Sequence, residues 1–374
     1  MNPNPIRVLV VDDSSLARKI ISESLATFGD IAVVGTAADP YIARDKILQL
    51  KPEVVTLDLE MPRMDGLAFL KILMQHHPLP VIIMSSLTQA GSHAAFEALQ
   101  AGAVDVLAKP NGSNSGCSDA MLLAEKIRAA ATARVFPKPQ WINSLTVPTR
   151  SADSQSQTAR RYFPARKLIL LGASTGGTEA LKTVLSGMGG DLPGICIVQH
   201  IPAHFSTAFA DRLNQICPME VREAKSGDRI EPGLALIAPG GYHLLLHWRG
   251  DHYTVELNDG PAVHHQRPAI DVLFDSAVRA GAGPHAIAAV LTGMGADGAG
   301  GLLQLRMSGA RTVAQNEETC VVFGMPREAV RLGAAQHVLP LPQIGPFLDR
   351  AASEPTSVGR SVRSESTRGF VSPR

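Results

Sequence analysis

Short runs of apolar, often β-branched residues alternate with helix-spaced apolar positions over residues 6–134. Five runs predict strands: Arg7–Val11, Ile31–Gly35, Glu53–Leu57, Pro80–Met84 and Val104–Leu107. Five apolar residues recur at helical spacing between the first two runs: Leu16, Ile20, Ile21, Leu25 and Phe28. Asp39 before Pro40 is typical of a helix start, and a last helix is expected near Asp119–Arg134. This alternation predicts a flavodoxin-like, five-stranded parallel sheet with helices on both faces.

A second alternation of the same kind begins near residue 166. Its predicted strands are Lys167–Leu171, Gly194–Val198, Leu234–Ala238, Ala286–Leu291 and Arg311–Ala314. Thr178–Met188 and Ala269–Ala280 have helical periodicity. The pattern therefore predicts a second doubly wound α/β domain after the first.

The pattern disappears between the two stretches and again at the end of the chain. Ser, Thr, Gln, Pro and Arg dominate there, which is the composition of segments that bury too little to order themselves. We therefore expect one domain over residues 1–135, a flexible linker over 136–165, a second domain over 166–350 and a disordered tail over 351–374.

Composition narrows the class of protein. The chain has 374 residues, 45% of them hydrophobic and 18% charged, which suits two compact α/β domains. Both predicted domains carry a small acidic excess, whereas DNA binding needs a basic folded surface, so a nucleic-acid partner and a helix-turn-helix output are not expected. No apolar run reaches 18 residues and no signal-like leader is evident, so we expect a cytoplasmic protein without membrane insertion. We also expect a monomer.

The four cysteines and several histidines offer little support for a metal site. Cys117, Cys196, Cys217 and Cys320 form no C-x-x-C pair, so neither a metal cluster nor a disulfide framework is predicted. His264 and His265 are adjacent, and adjacent residues rarely ligate the same ion. His204 lies four residues after His200, which is a spacing of metal ligands, but no third ligand follows at a matching spacing.

Polar side chains follow the strands of the first stretch at the points where they end. Asp12 and Asp13 leave the first strand, Asp58 the third, Ser85 the fourth and Lys109 the fifth. Any one aspartate could be only a helix cap or turn residue. Together, at one edge of a parallel sheet, these groups suit Mg²⁺ and a phosphate, with Lys109 as a point charge and Ser85 as a hydrogen-bond donor. Nucleophilic attack by the Asp58 carboxylate on phosphorus is the chemistry they favour.

This first stretch resembles a response-regulator receiver domain. The motifs are Val8-Leu-Val-Val-Asp-Asp-Ser, Leu57-Asp-Leu-Glu-Met-Pro-Arg-Met-Asp-Gly and Ala108-Lys-Pro. The resemblance implies that Asp58 accepts the phosphoryl group, that Asp12, Asp13 and Asp58 hold Mg²⁺, and that Ser85 and Lys109 are switch residues. It also implies a cis Lys109–Pro110 bond. Receivers often have an aromatic residue where this chain has Val106, so an aromatic rotamer switch is not expected.

The second stretch begins with a strand that runs into a glycine-rich turn. Gly172, Ser174 and Gly176 fit G-x-S-x-G, which projects a serine hydroxyl at a strand-to-helix turn, beside helix N–H groups that can hold an oxyanion. A dinucleotide-binding loop with Asp191 as the ribose-binding acid is the rival interpretation, but the glycine spacing fits it badly.

A histidine and an aspartate at other strand ends favour a serine hydrolase. His200 follows the second strand, where a general base belongs, although a single such histidine is more often structural. Asp297 lies in a glycine-rich loop, where it could serve only the turn or could orient the imidazole. The order Ser…His…Asp differs from the α/β-hydrolase, chymotrypsin and subtilisin orders.

Residues 166–350 resemble the catalytic domain of the chemotaxis protein-glutamate methylesterase/protein-glutamine glutaminase family. Five segments carry the likeness: Gly172-Ala-Ser-Thr-Gly-Gly, Val198-Gln-His-Ile-Pro, Ile237-Ala-Pro-Gly-Gly-Tyr-His, Leu291-Thr-Gly-Met-Gly-Ala-Asp-Gly and Ala314-Gln-Asn-Glu-Glu-Thr-Cys-Val-Val-Phe-Gly-Met-Pro-Arg-Glu-Ala. One departure is Gln266-Arg-Pro-Ala-Ile-Asp, where the family more often has His-Arg-Pro-Ser-Val-Asp.

The resemblance implies a phosphorylation-controlled esterase and deamidase acting on chemoreceptor helices. Ser174, His200 and Asp297 would be its triad, with the backbone N–H groups of Thr175 and Met294 as oxyanion donors. The chemotaxis histidine kinase would be the phosphodonor, Mg²⁺ would serve the receiver, and the esterase would need no cofactor. A non-catalytic protein that only binds receptors or a kinase is the alternative.

Overall fold

The computed structural model describes residues 4–85, 88–109, 116–134, 163–203 and 205–354. The first domain alternates strands and helices as expected. Its elements are β1 (Ile6–Val11), α1 (Ser15–Ala26), β2 (Ile31–Ala37), α2 (Pro40–Leu50), β3 (Val54–Asp58), α3 (Gly66–His76), β4 (Val81–Ser85), α4 (Gln89–Ala101), β5 (Asp105–Ala108) and α5 (Gly116–Ala131). The strand order is β2-β1-β3-β4-β5 with every pair parallel, which confirms the predicted flavodoxin-like receiver fold.

Local signals account for much of this alternation. The Asp39 side chain accepts hydrogen bonds from the N–H groups of Tyr41 and Ile42 and so caps α2. All five residues of β3 and of β4 are buried, as strands covered by helices on both faces should be.

The second domain contains a larger parallel sheet. Its elements are β6 (Leu168–Ala173), α6 (Gly177–Ser186), β7 (Ile195–Gln199), α7 (Phe205–Ile216), β8 (Glu220–Glu223), β9 (Leu234–Ile237), β10 (His243–Trp248), β11 (Tyr253–Asn258), α8 (Ile270–Arg279), β12 (Ala286–Val290), α9 (Ala299–Met307), β13 (Arg311–Gln315), α10 (Met325–Arg331), β14 (His337–Leu339) and α11 (Leu341–Ser353). The parallel order is β14-β13-β12-β6-β7-β9-β8, and β10 pairs with β11 as a separate antiparallel hairpin. The doubly wound prediction is confirmed.

The sequence prediction missed the edge strands β8 and β14 and the hairpin β10–β11. It also named only two helices of this domain and did not include α7, α9, α10 and α11. Strand β14 has only three residues, none of them buried, so it lacks the apolar run on which the prediction relied. In β8 only Val221 is buried. The hairpin packs on α8 rather than in the main sheet, which only the tertiary fold decides.

The central strand β6 lies between β7 and β12, which the chain reaches in opposite directions. Such a reversal point opens a crevice at the carboxyl ends of the strands, and in this domain it places the ends of β6, β7 and β12 side by side. No helix in the described part of the chain is both long and apolar enough to cross a membrane.

Candidate functional site

Ser174, His200 and Asp297 form one hydrogen-bonded line at the carboxyl edge of the second sheet. Ser174 follows β6 directly, His200 follows β7, and Asp297 lies in the loop between β12 and α9. The Ser174 Oγ is 3.1 Å from His200 Nδ1, and His200 Nε2 is 2.7 Å from Asp297 Oδ2. All three are buried. The hydroxyl can donate to Nδ1 while the Nε2–H donates to the carboxylate, which is the tautomer that a general base requires.

The Asp297 carboxylate is held by the first turn of α8 as well as by His200. The N–H groups of Ile270 and Asp271 donate to Oδ2 and Oδ1 at 2.7 and 2.9 Å. Burial would raise the pKa of Asp297, but the bonds from His200 and these N–H groups outweigh it, so its pKa lies below the usual value. The carboxylate is therefore ionised and can stabilise an imidazolium.

Three further residues shape the site, and the sequence analysis missed them. The Gln199 amide donates to the carbonyls of Ser174 (2.9 Å) and His200 (3.2 Å). The Thr292 hydroxyl donates to the Thr175 carbonyl at 3.0 Å. Gly177 leaves space for Gln199, because a Cβ there would overlap the Gln199 side chain. Only the position of Gln199 directly before His200 could have indicated its role.

Two backbone N–H groups beside the serine stay available for an oxyanion. Gly176 has a φ of 76°, which a glycine adopts without strain, and it turns the chain just after Thr175. A Cβ on Gly293 would lie 2.6 Å from the Ser174 Cβ, so the segment leading to Met294 passes close to the serine. The N–H groups of Thr175 and Met294 have no acceptor among the described residues.

The polar residues of the first domain also gather at one sheet edge. The carboxylates of Asp12, Asp13 and Asp58 offer ligand atoms within 4.8 Å of one another. Lys109 Nζ is 2.7 Å from Asp58 Oδ2 and 3.5 Å from Asp12 Oδ2. Burial is the largest influence on Asp58, and its pKa is raised although Lys109 opposes the shift. Ser85, at the end of β4, accepts the Lys109 N–H through its carbonyl at 2.9 Å. The predicted cis Lys109–Pro110 bond lies outside the described residues.

The two domains contact each other beside Ser174. The Thr175 hydroxyl donates to the Asp105 carboxylate of β5, and Lys126 of α5 lies 2.6 Å from the same carboxylate. All three side chains are buried. The Phe96 ring of α4 packs on Phe209 of α7, with 5.8 Å between the centroids. The first domain therefore covers this edge of the second sheet.

A groove of about 750 Å³ remains between the domains. It is lined by residues near the end of α5, among them Arg134, and by the loop that carries Met294. The Arg134 N–H donates to the Val321 carbonyl at 3.0 Å across the same boundary.

The rival site assignments find little support. Asp191 precedes β7 and therefore lies towards the sheet edge opposite Ser174, where it could not bind a ribose beside that turn. Of the adjacent histidines, His264 contacts Asp271 (Nε2 to Oδ2, 2.9 Å), whereas His265 is exposed; His204 is outside the described residues. Cys196, Cys217 and Cys320 are buried free thiols, and burial raises the pKa of Cys217 to about 11.

Fold and site define a class of protein: a receiver domain followed by an α/β domain with a Ser–His–Asp line at its sheet edge. Family models agree, since residues 8–118 match the response regulator receiver domain and residues 169–348 match the CheB methylesterase. The chain belongs to the CheB methylesterase family.

Relatives resemble this chain over almost its whole length. A protein-glutamate methylesterase/protein-glutamine glutaminase 2 of Syntrophus aciditrophicus is 54% identical over 91% of this chain and 97% of its own. A protein-glutamate methylesterase/protein-glutamine glutaminase of Bdellovibrio bacteriovorus is 49% identical over 91% of this chain and 95% of its own. The crystal structure of the Thermotoga maritima CheB methylesterase catalytic domain is 35% identical, covers 50% of this chain and 98% of its own, and has a TM-score of 0.48.

Proposed function

We propose that this chain is a phosphorylation-controlled serine hydrolase that removes methyl groups from glutamyl methyl esters, and deamidates glutamines, on the cytoplasmic helices of chemoreceptors. The hydrogen-bonded line of Ser174, His200 and Asp297 is the observation that carries the proposal. The names of the relatives supply the substrate class.

The reaction follows from the orientation of the imidazole. Ser174 Oγ attacks the ester carbonyl while its proton passes to His200 Nδ1, and Asp297 stabilises the resulting imidazolium. The N–H groups of Thr175 and Met294 hold the oxyanion. His200 then returns the proton to the departing methanol, and water hydrolyses the acyl-enzyme to glutamate. Glutamine would release ammonia in the same cycle.

The carboxylates of the first domain suit a divalent cation. Asp12, Asp13 and Asp58 would hold Mg²⁺, because their carboxylates converge, and the buried Asp12 Oδ2 faces only the ammonium of Lys109, at 3.5 Å, among the described residues. A bound ion would offset phosphoryl charge there. Asp58 accepts the phosphoryl group from the chemotaxis histidine kinase, Lys109 neutralises its oxygens and Ser85 donates a hydrogen bond to them.

Phosphorylation acts by releasing the first domain from the catalytic edge. Lys109 would exchange its Asp58 contact for the phosphoryl group, at the end of the strand that begins with Asp105. Asp105 bonds Thr175 next to the nucleophile, so movement of β5 would disturb the covering contact. A phosphoryl group opens the site only if it favours the released state.

We infer a monomer composed of a receiver over residues 1–135, a linker over 136–165, a catalytic domain over 166–350 and a tail over 351–374. The placement of α5 before the linker and of β6 after it supports these limits. The last helix, α11, extends to Ser353, three residues beyond the inferred catalytic limit.

The decisive experiment measures methanol release from methylated receptor membranes with and without a small phosphodonor and Mg²⁺. We expect release that rises with phosphodonor, no rise in Asp58→Ala protein, and almost no release in Ser174→Ala protein. Normal release by the Ser174→Ala variant would contradict the triad. Receptor binding without any release would favour the non-catalytic alternative.

A further inference from the structure

Two sequence motifs of the second domain meet next to the catalytic histidine and aspartate without touching the serine. The turn over residues 239–243 leads into β10, and the segment over residues 259–269 leads into α8. The Gly241 N–H donates to the Arg267 carbonyl at 3.0 Å, and the Arg267 guanidinium donates to the carbonyls of Asp259 and Gly260. The two segments therefore form one connected unit.

His243 makes the central contact of this unit. It is buried, with 3% exposure, and its Nδ1 accepts the Ala269 N–H at 3.2 Å. Its Nε2 lies 3.0 Å from the Pro261 carbonyl, which accepts the Nε2–H. These two partners need a neutral ring with the proton on Nε2, because a second ring proton would face the Ala269 N–H.

Ala269 is the residue immediately before α8, and this makes the contact relevant to catalysis. The next two N–H groups, of Ile270 and Asp271, are the ones that hold the Asp297 carboxylate. Asp271 is fixed in turn, because its carboxylate accepts the Gly301 N–H at 2.7 Å and contacts His264. The direction of the first turn of α8 therefore sets the direction of the Asp297 carboxylate.

The turn over residues 239–243 also contacts the segment that follows His200. A Cβ on Gly240 would lie 2.5 Å from the Ala203 nitrogen and from the Pro202 carbonyl carbon, so these backbones are in close contact. The Gly240 N–H donates to the Ser206 hydroxyl at the start of α7 at 3.0 Å. One short turn thus contacts the loop after the base and the helix that orients the acid.

We propose that His243 is a positioning residue for the hydrolysis, because it fixes the start of α8 and through it the Asp297–His200 pair. Among the described residues its hydrogen-bond partners are the backbone groups of Ala269 and Pro261, so it acts through the backbone. The inference rests on the proposed function, because the alignment of Asp297 and His200 affects a rate only if that pair takes part in the hydrolysis. Small misalignments of a catalytic group lower the rate of chemistry with little effect on substrate binding.

The test compares His243→Leu, which removes both hydrogen bonds, with His243→Asn, whose Oδ1 can still accept the Ala269 N–H. His247→Leu, on the same strand, is the matched control. Each variant is assayed as full-length protein with phosphodonor, and active serines are counted with a fluorophosphonate probe. The low-field proton resonance of the His200 Nε2–H reports the Asp297 contact directly.

We expect His243→Leu to lower kcat per titrated serine about tenfold to a hundredfold at nearly constant KM, and to weaken the low-field resonance. His243→Asn and His247→Leu should stay within about threefold of the parent. A purely structural role would reduce the number of titratable serines but leave kcat per serine unchanged, which would overturn the proposal. Equal losses in the Leu and Asn variants would also overturn it.

If His243→Leu does not fold, His243→Ala decides, because it also removes both hydrogen bonds. A lower kcat per titrated serine then supports the proposal, and an unchanged value contradicts it. Ser174→Ala separates the two hypotheses. An active Ser174→Ala variant would refute the proposed function, whereas an inactive one beside fully active His243 variants would refute only the positioning role.

Discussion

The orientation of the His200 ring depends on a carboxylate with three donors around it. His200 and Ile270 both approach Asp297 Oδ2, and Asp271 approaches Oδ1. The sequence could predict that Ser174, His200 and Asp297 converge, because each follows a strand of a parallel sheet. It could not predict the Gln199 bridge or the α8 contact, because both depend on how the strands and helices pack.

Asp297→Asn should disrupt the orientation of the His200 ring. An amide offers only one acceptor oxygen where three donors converge. In one orientation its NH₂ group faces the backbone N–H of Asp271. In the other it faces His200 Nε2, which forces His200 into the tautomer with a proton on Nδ1. That tautomer cannot accept the Ser174 proton. We expect kcat to fall on the order of 10³–10⁴-fold, measured as methanol release with phosphodonor. Asp275→Asn, on α8 but outside this set of contacts, is the control, and a similar loss there would contradict the explanation.

Asp58, the proposed phosphoacceptor, is expected to lower the stability of the unphosphorylated protein. Its pKa is raised, with burial as the main cause, so the ionised carboxylate opposes folding at neutral pH. This penalty is absent below the unfolded pKa of 3.8 and grows as pH rises through the folded pKa. Function, not stability, accounts for a buried acidic cluster of this kind.

We therefore expect Asp58→Asn to raise the thermal midpoint at pH 7 in EDTA, and the gain to shrink as pH approaches 4. Lys109 keeps Asp12 as a partner in this variant. Thermal unfolding followed by circular dichroism at several pH values measures the effect, and Asp45→Asn on the exposed face of α2 is the control. A gain that is independent of pH, or a lower midpoint, would refute this account.

At the scale of elements, the catalytic edge depends on glycines that serve packing rather than flexibility. Gly177 begins α6 and leaves space for the Gln199 side chain, and its Cβ position would also lie 2.7 Å from the Ala173 Cβ. The central parallel strands were predictable because they are fully buried apolar runs. The hairpin β10–β11, which carries His243, was not, because its two strands only partly bury their residues.

Gly177→Ala should therefore reverse the usual benefit of alanine in a helix. We expect a loss of about 1–3 kcal/mol in unfolding free energy, because Gln199 and its neighbours must move, together with a lower kcat. Gly300→Ala in the first turn of α9 is the matched control, since its Cβ would meet nothing closer than 3.7 Å and should stabilise by up to about 1 kcal/mol. Urea unfolding would compare the two, and equal effects would contradict the packing explanation.

At the scale of the whole molecule, two parallel-sheet domains meet where the amino end of β5 reaches the carboxyl edge of the second sheet. The division into receiver and hydrolase followed from two periodic stretches with an aperiodic segment between them. The contact between the two domains could not be predicted from the sequence. Asp105 and Lys126 are separated from Thr175 by long stretches of chain, and the three residues share no motif.

Weakening this contact should raise activity without phosphodonor. We expect Phe96→Ala, which removes the ring that packs on Phe209, to increase basal methanol release about threefold to tenfold and to reduce further stimulation by phosphodonor. Leu48→Ala, an exposed residue of α2, is the control. Unchanged basal release in Phe96→Ala protein, with normal stimulation, would show that this contact does not restrain the enzyme.

The link from Thr175 to Asp105 and Lys126 also bears on how such proteins can be recombined. Receiver domains share one fold, yet a grafted receiver need not have a carboxylate at the position of Asp105. The Thr175 hydroxyl would then be buried without its acceptor, at a cost of about 1–3 kcal/mol in the docked state. Exchange of receivers would thus weaken the docked state and raise basal activity unless residue 175 changed with the graft. The unit that evolution can transplant here is the receiver together with the turn after Ser174.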